Sequence, residues 1–236
     1  MFHFDGEVRY SEVDSKKQMK LSNLLDYLQD CCTMESEELG VGVDYLKEHA
    51  QAWVLSSWEI KVIRYPQLGE KISVATWPYS FKGFYGYRNF TIQDEKGNTI
   101  VVANSVWVYM DLTKMRPMRV TDEMAAAYQN SFAPELEGEW ASRKIEKGEP
   151  GELQETFQVK RFQIDTNHHM NNSKYVLAAQ EYLPEDFSTH TLRVEYKKAA
   201  MLQDKIKPYV TVETDKALVI LADESDKPYA VLEFRR

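Results

Sequence analysis

Hydrophobic and polar positions alternate along the chain in two rhythms. Leu21, Leu24, Leu25, Leu28, Cys31 and Cys32 recur at three- and four-residue spacing, which predicts an amphipathic helix with both cysteines on its buried stripe. From Trp53 to Val62 the apolar residues alternate (Trp53, Leu55, then Trp58, Ile60, Val62), and Gly69-Glu70-Lys71 marks a turn before a second strand, Ile72 to Trp77. Tyr85 to Gln93 and Thr99 to Met110, joined through Glu95-Lys96-Gly97-Asn98, predict a long hairpin. The order is one helix and then antiparallel strands.

That order returns in the second half. VRYSEVDSKKQM (8 to 19) aligns with VKRFQIDTNHHM (159 to 170) without a gap, at an offset of 151 that sets Asp14 over Asp165. Each segment reads as a strand, an Asp turn and the start of a helix, at Leu21 in one copy and Asn172 in the other. WEIKVIRYPQLGEKI (58 to 72) resembles LRVEYKKAAMLQDKI (192 to 206) at an offset of 134. Two matched blocks in the same order argue for duplication of one unit. Between the copies, residues 132 to 151 are rich in Pro, Gly and charge and lack an apolar period, as a surface linker would. The predicted organisation is a unit over 1–131, a linker over 132–151 and a unit over 152–236. The fold class is α+β, with an antiparallel sheet curled around a helix in each unit.

Charge and composition then narrow the function. The 236 residues carry 29 Lys+Arg against 37 Asp+Glu, a net charge of −8, without a basic run or tail, which argues against nucleic-acid binding. No apolar stretch approaches the roughly 18 residues of a transmembrane helix, and the start lacks a signal-like segment. Adjacent Cys31 and Cys32 are poorly placed to pair with each other, so buried reduced thiols in a cytoplasmic protein are expected.

The copies differ most at the strand-to-helix turn. Copy one has Asp14-Ser15-Lys16-Lys17-Gln18, copy two Asp165-Thr166-Asn167-His168-His169. A helix start offers N–H donors to a developing oxyanion, and Asp, Asn and His beside it supply a base and an orienting amide, a combination suited to acyl-group hydrolysis. Against this, Asx residues are common turn formers and N-caps. Neighbouring His168 and His169 make a poor zinc pair. His3, His49 and His190 are isolated.

The run Asp165-Thr166-Asn167-His168-His169-Met170-Asn171-Asn172-Ser173-Lys174-Tyr175 closely resembles the D-x-N-x-H-x-N-N-x-K-Y signature of the acyl-acyl-carrier-protein thioesterases, the plant fatty-acid chain-termination enzymes and their bacterial relatives. Trp58-Glu59-Ile60, Arg64-Tyr65-Pro66 with Gly69-Glu70, Thr76-Trp77-Pro78 and the strand ending at Asp111 extend the resemblance over most of the chain. It implies a tandem (double) hotdog fold and hydrolysis of the thioester joining a fatty acyl chain to the phosphopantetheine arm of acyl carrier protein. The implied catalytic positions are Asp165, Asn167 and His169. The first unit would house the acyl tail, with Leu24, Leu28, Cys32, Trp53, Leu55 and Trp58 as candidate lining. No metal or cofactor is implied, since phosphopantetheine belongs to the substrate. The partner, acyl carrier protein, is acidic, so docking needs local basic residues: Arg116, Arg119, Lys160, Arg161, Lys174, Lys197 and Lys198 are the candidates. The chain could also pair as a homodimer.

One departure stands out. Plant members read basic-basic-Glu-Cys after the Glu-Tyr of a strand, whereas here Glu195-Tyr196-Lys197-Lys198 leads to Ala199-Ala200. A cysteine nucleophile there is excluded and water is the simpler one; Glu195 sits four residues, about 13 Å of strand, from Ala199, too far to be a direct stand-in. His169 aided by Asp165 is then the expected base, Asn167 the orienting group, and N–H groups at the start of the Asn172 helix the oxyanion donors. The competing readings are an acyl-CoA thioesterase, a non-catalytic acyl-thioester-binding module and, less closely, a hotdog dehydratase.

Overall fold

The structure is a computed structural model describing residues 1–149 and 151–236; Pro150, inside the expected linker, lies outside the described residues. The chain divides into two compact units, Met1–Ser56 with Ile60–Trp140, and Ser57–Glu59 with Ala141–Arg236.

The first unit contains β1 (Phe2–Glu7), α1 (Leu21–Glu38), α2 (Val43–Glu48), β2 (Gln51–Val62, apart from Ser57–Glu59, which group with the second unit), β3 (Lys71–Lys82), β4 (Tyr85–Asp94), β5 (Thr99–Asp111), β6 (Arg116–Pro117) and α3 (Asp122–Ala127). Its strands run in the order β1-β3-β4-β5-β2, with β6 on β5. The helix-period stripe forms α1, which packs on β3 and β1 and buries Leu21, Leu24, Leu25, Leu28, Cys31 and Cys32. Each fully buried leucine contributes roughly 1.5–3 kcal/mol of transfer free energy. Gly40, at φ 72°, stops the helix: its N–H bonds the Glu37 carbonyl and the Val41 N–H bonds that of Ser36, the Schellman pattern that uses up orphan carbonyls. One turn after Cys32 the stripe turns polar. Glu35 is buried and ion-paired with buried Arg88 of β4, which also donates to Thr76 Oγ1 at 3.1 Å and lies 5.4 Å from the Tyr128 ring.

The second unit contains β7 (Glu152–Leu153), β8 (Phe157–Gln158), α4 (Asn172–Gln180), β9 (Thr191–Tyr196), β10 (Lys205–Val212), β11 (Lys216–Ala222) and β12 (Pro228–Arg235). The strands run antiparallel in the order β9-β12-β11-β10-β7, with β8 also antiparallel on β10. The shorter α4 packs on β11 and β12. Along β11 both faces are buried, since Leu218, Ile220 and Ala222 pack with Ile145 while Ala217, Val219 and Leu221 alternate to the other side. Each unit is thus a curled antiparallel sheet against one helix, the arrangement the sequence predicts.

Two differences from the sequence reading have local causes. The segments read as strands before the Asp turns are 3-10 turns, Tyr10–Glu12 and Arg161–Gln163. Their side chains divert the backbone: Glu12 accepts the Arg9 N–H and Gln163 Oε1 the Lys160 N–H, both at 2.8 Å. The stretch between the copies has neither helix nor strand over residues 132–149, yet it is pinned closely. Trp77 Nε1 donates to the Pro134 carbonyl (2.8 Å), the Leu136 N–H to Asn89 Oδ1 (2.9 Å), the Ala141 N–H to Glu59 (2.7 Å) and the Ile145 N–H to Glu195 (3.2 Å). Arg193 also grips the carbonyls of Ser142 and Lys144.

The duplication persists at the level of single hydrogen bonds. Asp14 N–H to Gln18 carbonyl and Asp165 N–H to His169 carbonyl both measure 2.8 Å; Met19 N–H to Pro66 carbonyl and Met170 N–H to Ala200 carbonyl do too. The bridges Gln18↔Gln67 and His169↔Met201 correspond as well. Both sequence offsets, 151 and 134, therefore describe the folded chain.

Candidate active site

Asp165, Asn167 and His169 share one turn leading into α4. Asp165 Oδ1 accepts the N–H of Asn167 at 2.8 Å and of His169 at 3.2 Å, so one carboxylate oxygen builds the turn. The same construction recurs at Asp14 (onto Lys16 and Gln18), Asp94 (onto Lys96 and Asn98) and Asp223 (onto Ser225 and Lys227). In all four the third residue after the Asp has positive φ: Lys17 62°, Gly97 80°, His168 62° and Asp226 62°. His168 therefore owes its left-handed backbone to the turn type and needs no functional account of its strain. A carboxylate has about four lone-pair positions, so Oδ1 can hold the turn while Oδ2 faces another donor.

Asp165 and His169 are half-buried, whereas Asn167 and His168 are exposed. The His169 backbone bridges Met201. Ala199, the position at which the resemblance puts Glu in plant members, is exposed. Glu195 is engaged elsewhere, with the Ile145 N–H and Lys197.

The oxyanion role expected of the helix start needs correction. Asn171, the N-cap, takes the Ser173 N–H on its side-chain oxygen at 2.9 Å and the Lys174 N–H on its carbonyl at 2.9 Å. Those two donors are spent on capping.

Leu24, Leu28 and Cys32 are buried on α1, and Leu55 and Trp58 on β2. Half-buried Trp53 packs on Phe81 and Tyr109, with ring centroids 5.5 and 4.7 Å away, among Val41, Met124 and Tyr128. Its indole nitrogen is buried without a hydrogen-bond partner. Both cysteines are free and buried; burial pushes the Cys32 thiol up to about 11 and raises that of Cys31 further.

Among the basic candidates, Arg116 and Arg119 belong to the first unit and the others to the second, where Lys160 and Arg161 are exposed and Lys174 half-buried. Lys197 and Lys198 are exposed but ion-paired with Glu195 and Asp223.

Sequence reasoning passed over Tyr175. It lies on the buried side of α4, and its hydroxyl accepts the Ala200 N–H at 2.8 Å. The signal was present in the second aligned block, which sets Ala200, with an N–H to satisfy, over Pro66, with none.

Relatives share this organisation. An oleoyl-acyl carrier protein thioesterase from Arabidopsis thaliana is 26% identical over 90% of this chain, which spans 63% of that protein's length. An acyl-ACP thioesterase from Bacteroides thetaiotaomicron superposes with a TM-score of 0.88 at 20% identity, covering 99% of this chain and 96% of that one. A 12:0-ACP thioesterase from Umbellularia californica gives 0.87 at 18%, covering 99% and 96%. These structural likenesses carry the tandem hotdog fold. Family profiles for the N-terminal and C-terminal domains of acyl-ACP thioesterases match residues 1–128 and 147–227 respectively, and the chain belongs to the acyl-ACP thioesterase family.

Proposed function

We propose that the chain hydrolyses fatty acyl thioesters of acyl carrier protein, releasing free fatty acid, with water as nucleophile at the Asp165–His169 turn. The observation that carries the reading is the comparison of the two turns. One backbone scaffold occurs in both copies, but only the second has Asn167 and His169, an amide and an imidazole, where the first has Lys16 and Gln18. His169 takes a proton from water as its oxygen bonds the thioester carbon; the C–S bond breaks as the tetrahedral intermediate collapses, and the proton passes to the departing thiolate. Asn167 orients water or carbonyl, and Asp165 contributes its second oxygen to the imidazole or the water. The acyl tail is assigned to the first unit.

For the carrier protein, Lys160, Arg161 and Lys174 are the better docking candidates in the second unit, because the charges of Lys197 and Lys198 are already matched.

The test separates scaffold from chemistry. His169→Ala is expected to reduce kcat on an acyl carrier protein thioester by about 10²–10⁴. Asp165→Asn keeps an oxygen to accept both turn N–H groups but removes the charge, so a comparable loss in a folded D165N assigns the carboxylate a chemical role. Wild-type release of fatty acid by both folded variants would refute the assignment. Retention of acyl thioester without turnover by the unmodified chain would favour the binding-module reading, and equal turnover of CoA thioesters the acyl-CoA one.

A further inference from the structure

Tyr175 and Ala200 form a hydrogen bond that the first copy does not have. At the corresponding positions the first copy carries Leu24 and Pro66. Both copies make the same 2.8 Å ladder bond, from Met19 N–H to the Pro66 carbonyl and from Met170 N–H to the Ala200 carbonyl. At position 66 the pyrrolidine ring fixes φ and leaves no donor. At position 200 φ is unrestrained and the amide is buried, yet its N–H meets the Tyr175 hydroxyl at 2.8 Å. The Tyr175 ring in turn stands edge-on to Tyr196, centroids 5.7 Å apart, and the Tyr196 hydroxyl donates to the Asn172 carbonyl at 2.9 Å. The start of α4, the strand end at Tyr196 and the segment paired with His169 are thus tied through two aromatic hydroxyls. Burial foremost pushes the Tyr175 hydroxyl up to about 12, so it remains neutral and keeps its proton at any working pH.

We propose that Tyr175 is a positioning residue for the hydrolysis: its hydrogen bond to Ala200 does for the His169 side what the ring of Pro66 does in the first copy, fixing the segment Ala199–Met201 against the Asp165–His169 turn. The inference rests on the reading that this turn is the hydrolytic site. The turn itself forms in the first copy without any such tyrosine, so the hydroxyl is not what folds it. Its contribution is to keep His169 and the neighbouring backbone in one arrangement, and a displacement of about 1 Å at a reacting centre can cost 10²-fold in rate.

The experiment is steady-state kinetics on an acyl carrier protein thioester, with thermal unfolding measured in parallel. Tyr175→Phe should lower kcat by about 10- to 100-fold with KM changed less than about twofold, at a temperature where the variant is fully folded. Adding Ala200→Pro to Y175F copies the first unit's solution, removes the unpartnered N–H and should recover most of the lost kcat. The double variant also keeps the test readable if Y175F alone does not fold. Wild-type kcat in folded Y175F overturns the proposal, as does a loss confined to KM or a folded double variant that stays as slow as the single. His169→Ala is run alongside. An unaffected H169A sinks the hydrolytic-site reading itself, whereas a crippled H169A beside an intact Y175F sinks only the role given to Tyr175.

Discussion

Two adjacent histidines occupy different slots of one turn. His168 sits in the left-handed slot that Lys17, Gly97 and Asp226 fill in the sister turns, and His169 occupies the slot that Gln18 fills in the first copy. A left-handed non-glycine residue costs roughly 1–2 kcal/mol, and glycine gives back about 0.5–1 kcal/mol of that in unfolded-chain entropy. His168→Gly is therefore expected to leave the unfolding free energy within about 1 kcal/mol of wild type and hydrolysis intact, in contrast to His169→Ala; a large loss of kcat in H168G would give His168 a part in the chemistry. Residue-level patterns in the sequence were informative where identity and geometry coincide, as with the Asp that opens each turn. They were silent on Glu35. It continues the helical spacing of Leu28, Cys31 and Cys32, but a carboxylate there reads as solvent-facing, and only the fold brings Arg88 from β4 to neutralise it. Leaving either partner of such a buried pair alone costs about 3–5 kcal/mol, which is why both charges stay.

At the scale of elements, legibility followed length. The eighteen residues of α1 and the long β4–β5 hairpin have enough period to be read directly, and their boundaries follow from Gly40 and the Asp94 turn. The six-residue helices α2 and α3 span under two turns, too short for a repeating stripe, and were not anticipated. The 3-10 turns read as strands because their alternating residues mimic one, while a side-chain cap bends the backbone. The turn that precedes β3 carries its own electrostatics. Arg64 grips Glu70 with two hydrogen bonds, 2.8 and 2.5 Å, and Glu70 also takes the Gln67 N–H at 2.8 Å. The Arg64 hydrogen bonds foremost hold the Glu70 carboxyl below its ordinary value, against the effect of burial. A lowered folded pKa adds stability that is complete above the unfolded value, about 4.3, and disappears as pH falls through the folded one. Arg64→Met should therefore be less stable than wild type at neutral pH and lose less on acidification from about pH 5 downward; parallel acid limbs for the two proteins would contradict this account.

For the molecule as a whole, charge bears on the partner proposed above. On that reading, a net charge of −8 would repel an acidic carrier protein at long range, so docking would depend on local basic residues and weaken with salt. Arg161→Glu is expected to raise KM for an acyl carrier protein thioester by about tenfold at low ionic strength and to leave an uncharged pantetheine thioester of the same chain unchanged. Equal effects on both substrates would place Arg161 outside the docking surface. The two-unit plan and the location of the turn were legible in the sequence because duplication left two aligned blocks. The pinning of residues 132–149 was not, because its bonds run from backbone groups to Trp77, Asn89, Glu59, Arg193 and Glu195, which no local pattern marks.

The Asp turn of the first copy has a further consequence. It keeps the hydrogen-bonded frame of its twin while bearing Lys16 and Gln18, so the architecture tolerates either set of side chains at no cost to its backbone. On the reading proposed above, hydrolysis needs only a few side-chain replacements on a support that both copies already possess.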